Sequence, residues 1–190
     1  MNGLVQRVIN LLKAPGKEWP VIAGEQSTIQ SLFVPYALIL AAIGPVALLL
    51  GGGAWRGVVF GGGFLLRVAI TSYAMSLIGV VVLAFIINAL APTFGGQKDT
   101  VQSFKTAVYA STASWVAGIG YLLWFLGSVV MLAGAVYSIY LLYMGLPHTM
   151  KAPAEKTVGY TAVVVVAAIV VFLIAGALSG GGVQRGAFAF

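Results

Sequence analysis

The chain has 190 residues, of which 61% are hydrophobic and only 7% are charged, and its formal net charge is +6. Soluble domains carry roughly 25% charged residues, so this chain cannot cover a water-facing surface and reads as an integral membrane protein. The basic residues stand singly, which excludes a nucleic-acid footprint; there is no cysteine, and one histidine with four acids leaves no donor set for a metal, so no metal and no cofactor is expected.

Residues 1–31 form the first unit. In "MNGLVQRVINLLKAP" the side chains of Leu4, Val5, Val8, Ile9 and Leu12 share one helical face, Arg7, Asn10 and Lys13 fall mainly on the other, and Pro15 ends the pattern. Such an amphipathic arm either lies on the membrane surface, its cations toward anionic headgroups, or packs on the cytoplasmic ends of the spans. "PGKEWPVIAGE" follows, with Trp19 and Ile22 at helical spacing beside Glu18 and Glu25. A tryptophan just outside the bilayer reads as an interfacial anchor, with a partner contact as the alternative. The first long apolar run begins only at Leu32, too late for a signal peptide.

Crossing a bilayer takes about 20 apolar residues. Leu32–Leu50, with Pro35 and Pro45 inside it, and Val68–Ala91 are the first two spans. Between Lys105 and Lys151 no formal charge occurs apart from His148. As one helix this stretch would be roughly 65 Å long, about twice the hydrocarbon thickness, so it folds back, with Gly118-Ile119-Gly120 as the break. That gives spans Thr106–Gly118, expected to start a few residues earlier, and Tyr121–Leu146. Thr157–Leu178 is the fifth. The linkers are then 51–67, 92–105, 118–121 and 147–156. The first holds "AWRGVVF" between two glycine triplets and reads as an interfacial loop in preference to a re-entrant one. The fold expected is an all-α, five-span polytopic bundle over 32–178, with a flexible tail over 179–190.

Arg7, Lys13, Lys17, Lys98, Lys105, Lys151 and Lys156 fall on one side of this topology, and Arg56, Arg67 and Arg185 on the other. The excess places the N-terminus in the cytoplasm and the C-terminus outside. No Asp or Glu lies in any predicted span, which weighs against proton-coupled transport. The small residues Ala110, Ser114 and Gly118 make a stripe that admits a neighbouring helix, read as packing within the bundle, with a homodimer face as the alternative. Tyr137, Tyr140 and Tyr143 close the fourth span: Tyr143 suits an interfacial belt, and Tyr137, roughly 9 Å deeper, needs a hydroxyl partner in the bundle. Pro147, His148, Lys151 and Lys156 make a polar loop suited to anionic headgroups or a partner. His148 has only Thr149 and Thr157 nearby as nucleophiles, so no catalytic residue and no enzyme is expected.

"SWVAGIGYLLWFL", then "YSIYLLYMGLPHTMKAPAEKTVGYTAVVV", together with Pro15-x-x-x-Trp19-x-x-Ile22, resembles the Yip family (Ypt-interacting proteins), particularly its bacterial members. The most specific element is Tyr-x-x-Tyr-Leu-x-Tyr-x-Gly-Leu-Pro from Tyr137 to Pro147, followed by Lys151-x-Pro153 and Gly159-Tyr160. The resemblance implies five spans in a bacterial inner membrane, N-terminus cytoplasmic and C-terminus periplasmic. Eukaryotic relatives bind prenylated Rab-type GTPases; that role is not carried over, because the arm is short and a bacterial protein lacks those partners. The expected function is non-enzymatic: organising membrane lipids or partner proteins, another membrane protein or a second copy included. A small passive channel or lipid transporter is the alternative.

Overall fold

The computed structural model describes residues 2–52 and 62–179, and every regular element among them is helical. Helices α1 (Asn2–Lys13) and α2 (Pro15–Gly24) form an N-terminal hairpin. The bundle follows: α3 (Ile29–Gly51); α4 (Gly62–Leu90); the short pair α5 (Thr100–Ala110) and α6 (Thr112–Ala117); α7 (Gly127–Thr149); and α8 (Ala154–Ser179). Four stretches are long and apolar enough to cross a membrane, Ile29–Gly51, Gly63–Phe94, Gly127–Thr149 and Ala154–Ile174. Their outer faces expose Ile39, Ile78, Leu132, Val166 and other large apolar side chains, as a lipid-facing belt requires. Pro35 does not break α3. It sits in a π-helical turn, Phe33–Ala37, where Leu38 N–H reaches Phe33 O, and the widened turn absorbs the proline.

The third pass differs from the other four. It starts at Thr100, a few residues before Thr106 as its shortness leads one to expect, because the Asp99 carboxylate caps it by accepting from Gln102 N–H at 2.9 Å. The linker expected over 92–105 shrinks accordingly, to a 3-10 turn at Ala91–Phe94 and five further residues. Lys105, counted above as a loop cation, belongs to a buried helix. This pass continues as a 3-10 turn at Gly118–Leu122 and runs the length of the bundle, in contact with α2, α3, α4 and α7. Residues 103–110 are all buried. Wrapped by protein, the pass can carry Ser103, Lys105, Thr106 and Thr112 without presenting them to lipid. The architecture is thus a polytopic helical bundle in which a polar pass packs among three of the apolar helices, α3, α4 and α7, while the fourth, α8, packs on α4 and α7.

Register along the centre is fixed by hydroxyls and small residues. Thr106 Oγ1 meets Thr149 Oγ1 at 2.6 Å, and Ser114 Oγ meets Ser138 Oγ at 2.8 Å, which sets α5–α6 antiparallel to α7. A Cβ on Gly134 would fall 2.2 Å from Ala117 Cβ, and one on Gly118 would fall 2.7 Å from Gly44 Cα. Glycine alone permits these approaches. Ala110 and Gly118 are buried inside the bundle, whereas Ser114 is exposed.

Other boundaries shift for local reasons. The fourth span begins at Gly127, not Tyr121, because 3-10 turns at Gly118–Leu122 and Trp124–Leu126 take up the intervening chain. It ends at Thr149 with Pro147 inside it. A proline so close to the C-terminus removes one helical bond without stopping the helix, so the loop expected over 147–156 is only 150–153. Arg67 sits inside α4 and is exposed. The stretch that decides between interfacial and re-entrant geometry within 51–67, and nearly all of the 179–190 tail, lie outside the described residues. Gly134→Leu is expected to destabilise the bundle by about 3 kcal/mol. Gly63→Leu enters open space and should leave stability unchanged. Thermal unfolding of the two variants in detergent checks the difference.

Candidate functional site

The N-terminal hairpin is not a surface arm. Leu11, Trp19 and Ile22 are fully buried in the same core as Leu141, Leu146 and Met150. Trp19 fills the place where Gly145 has no side chain: a Cβ there would fall 2.7 Å from both Cζ2 and Cη2 of the indole. Tyr109 meets the indole edge to face, with centroids 6.5 Å apart. Tyr137 supplies the partner its depth demands, its hydroxyl donating to Leu12 O at 2.7 Å. The reading of Trp19 as an anchor outside the bilayer is therefore corrected. The missing side chain at Gly145 leaves room against α7 for the Cε2–Cζ2–Cη2 side of the indole. Trp19 Nε1 has no acceptor among the described residues, so packing holds it.

Polar groups fasten the same hairpin. Arg7 bridges Glu18, at 2.5 Å, and Glu25, and its guanidinium lies 6.0 Å from the centre of the Tyr109 ring. Burial works against the Arg7 charge, but the hydrogen bond and charge of Glu25, with help from Tyr109 and Glu18, outweigh it and raise its pKa. The α2 C-terminus leaves carbonyls without helical partners, and α5 satisfies them. Lys105 Nζ donates to Ile22 O at 2.9 Å and to Glu25 O, and Gln102 Nε2 donates to Ala23 O at 3.0 Å. A lysine at a helix C-terminus also complements the helix dipole. Each charged hydrogen bond of this kind stabilises by about 1.5–3 kcal/mol.

At this end two turns lean on each other. Gln97 N–H donates to Met150 O at 2.8 Å, and a Cβ on Gly96 would fall 2.8 Å from that oxygen. Tyr160 stacks on Phe94, centroids 5.0 Å apart, and its hydroxyl donates to Ile87 O at 2.5 Å. Lys151 has a φ of 53°, the one non-glycine residue in the left-handed region among the described residues.

The sequence-selected residues divide in two. Trp19 and Tyr137 face the hairpin seat. Tyr140, Tyr143, His148, Lys151 and Lys156 are exposed around it, and Pro147 is half-buried between. The Arg7–Glu18–Glu25 cluster, Lys105, Gln102 and Gly145 were not singled out from sequence. The available signals were a lysine at the head of an apolar run and the glycine inside the tyrosine-rich motif. Among the described residues no three of His, Cys, Asp and Glu are grouped as a metal would need.

The Yip1 domain matches residues 9–176. The chain belongs to the Yip1 family. It is similar to the inner membrane protein YohC of Escherichia coli (strain K12), at 27% identity over 167 residues covering 83% of this chain and 85% of that protein. YohC of Escherichia coli O6:H1 (strain CFT073) matches with the same figures. No solved structure matches. The matched Yip1 region contains both partners of the seat, Trp19 and Gly145.

Two outcomes follow for this Yip1 protein. Gly145→Ala should displace Trp19 and loosen the hairpin by about 2 kcal/mol. Trypsin cleavage at Lys13 and Lys17 then accelerates about 30-fold, because it tracks the open population. Gly24→Ala, which meets nothing within 4 Å, should not accelerate it. Lys151→Gly should raise stability by about 1 kcal/mol by relieving the left-handed residue, and Lys151→Ala should not. Chemical unfolding in detergent measures both.

Proposed function

We propose that this Yip1-family protein is a non-catalytic membrane organiser whose lysine-bearing end gathers lipids with anionic headgroups. One observation carries the reading. Lys13, Lys17, Lys98, Lys151 and Lys156 are all exposed, and among the described residues the ion pairs are Arg7's. Lys13 and Lys17 lie on the hairpin, Lys98, Lys151 and Lys156 on or beside the two turns joined by Gln97 and Met150, and Tyr140 and Tyr143 of α7 are exposed as well. Cations outside the ion pairs, together with exposed aromatics, suit an anionic lipid surface, where each lysine contributes about 1 kcal/mol. The non-enzymatic part rests on chemistry: no cysteine, one histidine, and that histidine exposed in the last turn of α7.

The reading places this end, and the N-terminus with it, in the cytoplasm, and Arg67 toward the opposite face. The chain has no native cysteine, so single-cysteine probes need no background removal. A membrane-impermeant maleimide should label Gln97→Cys and His148→Cys from the cytoplasmic side and Ser128→Cys from the other. Labelling of Gln97→Cys and His148→Cys from opposite sides would refute the topology.

Native mass spectra of the protein released with its surrounding membrane test the lipid reading. One anionic lipid class should be retained, about 30-fold more weakly in the Lys151→Ala/Lys156→Ala double variant. A bare homodimer or a second protein at fixed stoichiometry, with no selected lipid, would replace the lipid reading by a protein scaffold. Protein-dependent leak or lipid scrambling in proteoliposomes would replace it by passive transport.

A further inference from the structure

Between α4, the central pass and α8 lies a cavity of about 520 Å³, within the roughly 300–1,000 Å³ of small-molecule sites. Its floor is buried Gly79, Val80 and Trp115, and its rim is exposed Ser72, Met75 and Phe172. The opening therefore faces sideways, out of the bundle. Ser76, also in the wall, lies near the middle of the membrane-crossing stretch Gly63–Phe94. No charged residue lines the space.

One polar group in this wall is incompletely used. Trp115 Nε1 donates to Ser76 Oγ at 2.7 Å. An indole N–H can only donate, so Ser76 is the acceptor there and its own hydrogen stays available. Neighbouring serines return theirs to their helices: Ser72 to Ala69 O at 2.9 Å and Ser111 to Ala107 O at 2.8 Å. Among the described residues Ser76 has no such acceptor. In an aqueous cleft water would take the hydrogen. At mid-bilayer depth there is none, and an unmade hydrogen bond costs about 2–7 kcal/mol.

We propose that this cavity is a binding site for an uncharged, membrane-dissolved molecule whose apolar body fills the slot and whose oxygen accepts a hydrogen bond from Ser76. A plain hydrocarbon tail would fill the volume but leave the hydroxyl unmatched. An ion or charged headgroup would find no countercharge. Gly79 serves the same space: a Cβ there would fall 2.8 Å from the Phe172 ring, so glycine lets α8 close the slot's edge. The site is separate from the lysine-bearing end and does not depend on the headgroup reading.

The test uses the full chain in lipid nanodiscs with two photoactivatable probes. One is a long-chain dialkyl ketone with a diazirine beside its mid-chain carbonyl; the other is the matching diazirine alkane. The ketone should crosslink preferentially to residues 71–83 and 165–174. Ser76→Ala should lower ketone crosslinking about five-fold and leave the alkane unchanged, and Ser76→Thr should restore it. Ala168→Phe, filling the slot from α8, should lower both. Ser76→Ala is close in shape to the native residue, so it keeps the test valid should the bulkier variant misfold. Unchanged ketone crosslinking in Ser76→Ala, equal loss of both probes, or crosslinks spread evenly over Ile39 and Leu132 would overturn the proposal.

Discussion

A bilayer core supplies no water to hydrogen-bond a polar side chain, and one pass of this chain meets that condition partly within its own helix, through Ser103 to Thr100 O and Thr106 to Gln102 O, and partly through its neighbours. Ser103, Lys105, Thr106 and Thr112 lie on α5 and α6, and each is buried. The rest of the bundle answers to them. Thr149 pairs with Thr106, and Tyr36 pairs with Thr112 at 2.9 Å. The glycines at 44, 118 and 134 bring neighbouring backbones close enough for such short side chains to meet. The four apolar helices then take the lipid-facing role, which explains why they are nearly featureless and the centre is not.

The basic residues have two roles that a charge count merges. Arg7 and Lys105 are structural: they tie the hairpin down through Glu18, Glu25 and the open carbonyls of α2. The remaining lysines at that end point outward. The family motifs divide likewise. Trp19 in the arm and Gly145 in the tyrosine-rich run are two sides of one contact, although most of the chain separates them. Gly159-Tyr160 secures the turn after α4 through Phe94 and Ile87. The motif is in large part a record of how the N-terminal hairpin is seated.

The spans were legible because a membrane helix declares itself locally, through length and apolarity. That the chain folds back was legible too, since an uncharged stretch of that length cannot be one helix; its place was not, because the pass continues through Gly118–Leu122 and the next helix starts only at Gly127. Element ends were less so: Pro147 stays within α7, and Asp99 starts α5 well before the apolar run. Burial of Trp19 was invisible because the space for it is made by a missing side chain on a distant helix. Lys105 read as a topology signal because nothing in its neighbourhood announces the α2 carbonyls it caps. The cavity was invisible for a similar reason: Ser72 and Ser76 look like packing residues until Trp115 and Phe172 are placed beside them.

The hairpin's seat imposes an order on biogenesis. Tyr137 bonds to Leu12 across a separation of 125 residues, and Gly145 leaves the ribosome later still. At about 5–20 residues per second, the hairpin waits roughly 6–25 s between its own synthesis and that of its seat. During that interval Trp19, Ile22 and Leu11 have no core to enter, because Leu141, Leu146 and Met150 have yet to be made. Closure of the hairpin over α7 becomes the step that reports completion of the fourth helix.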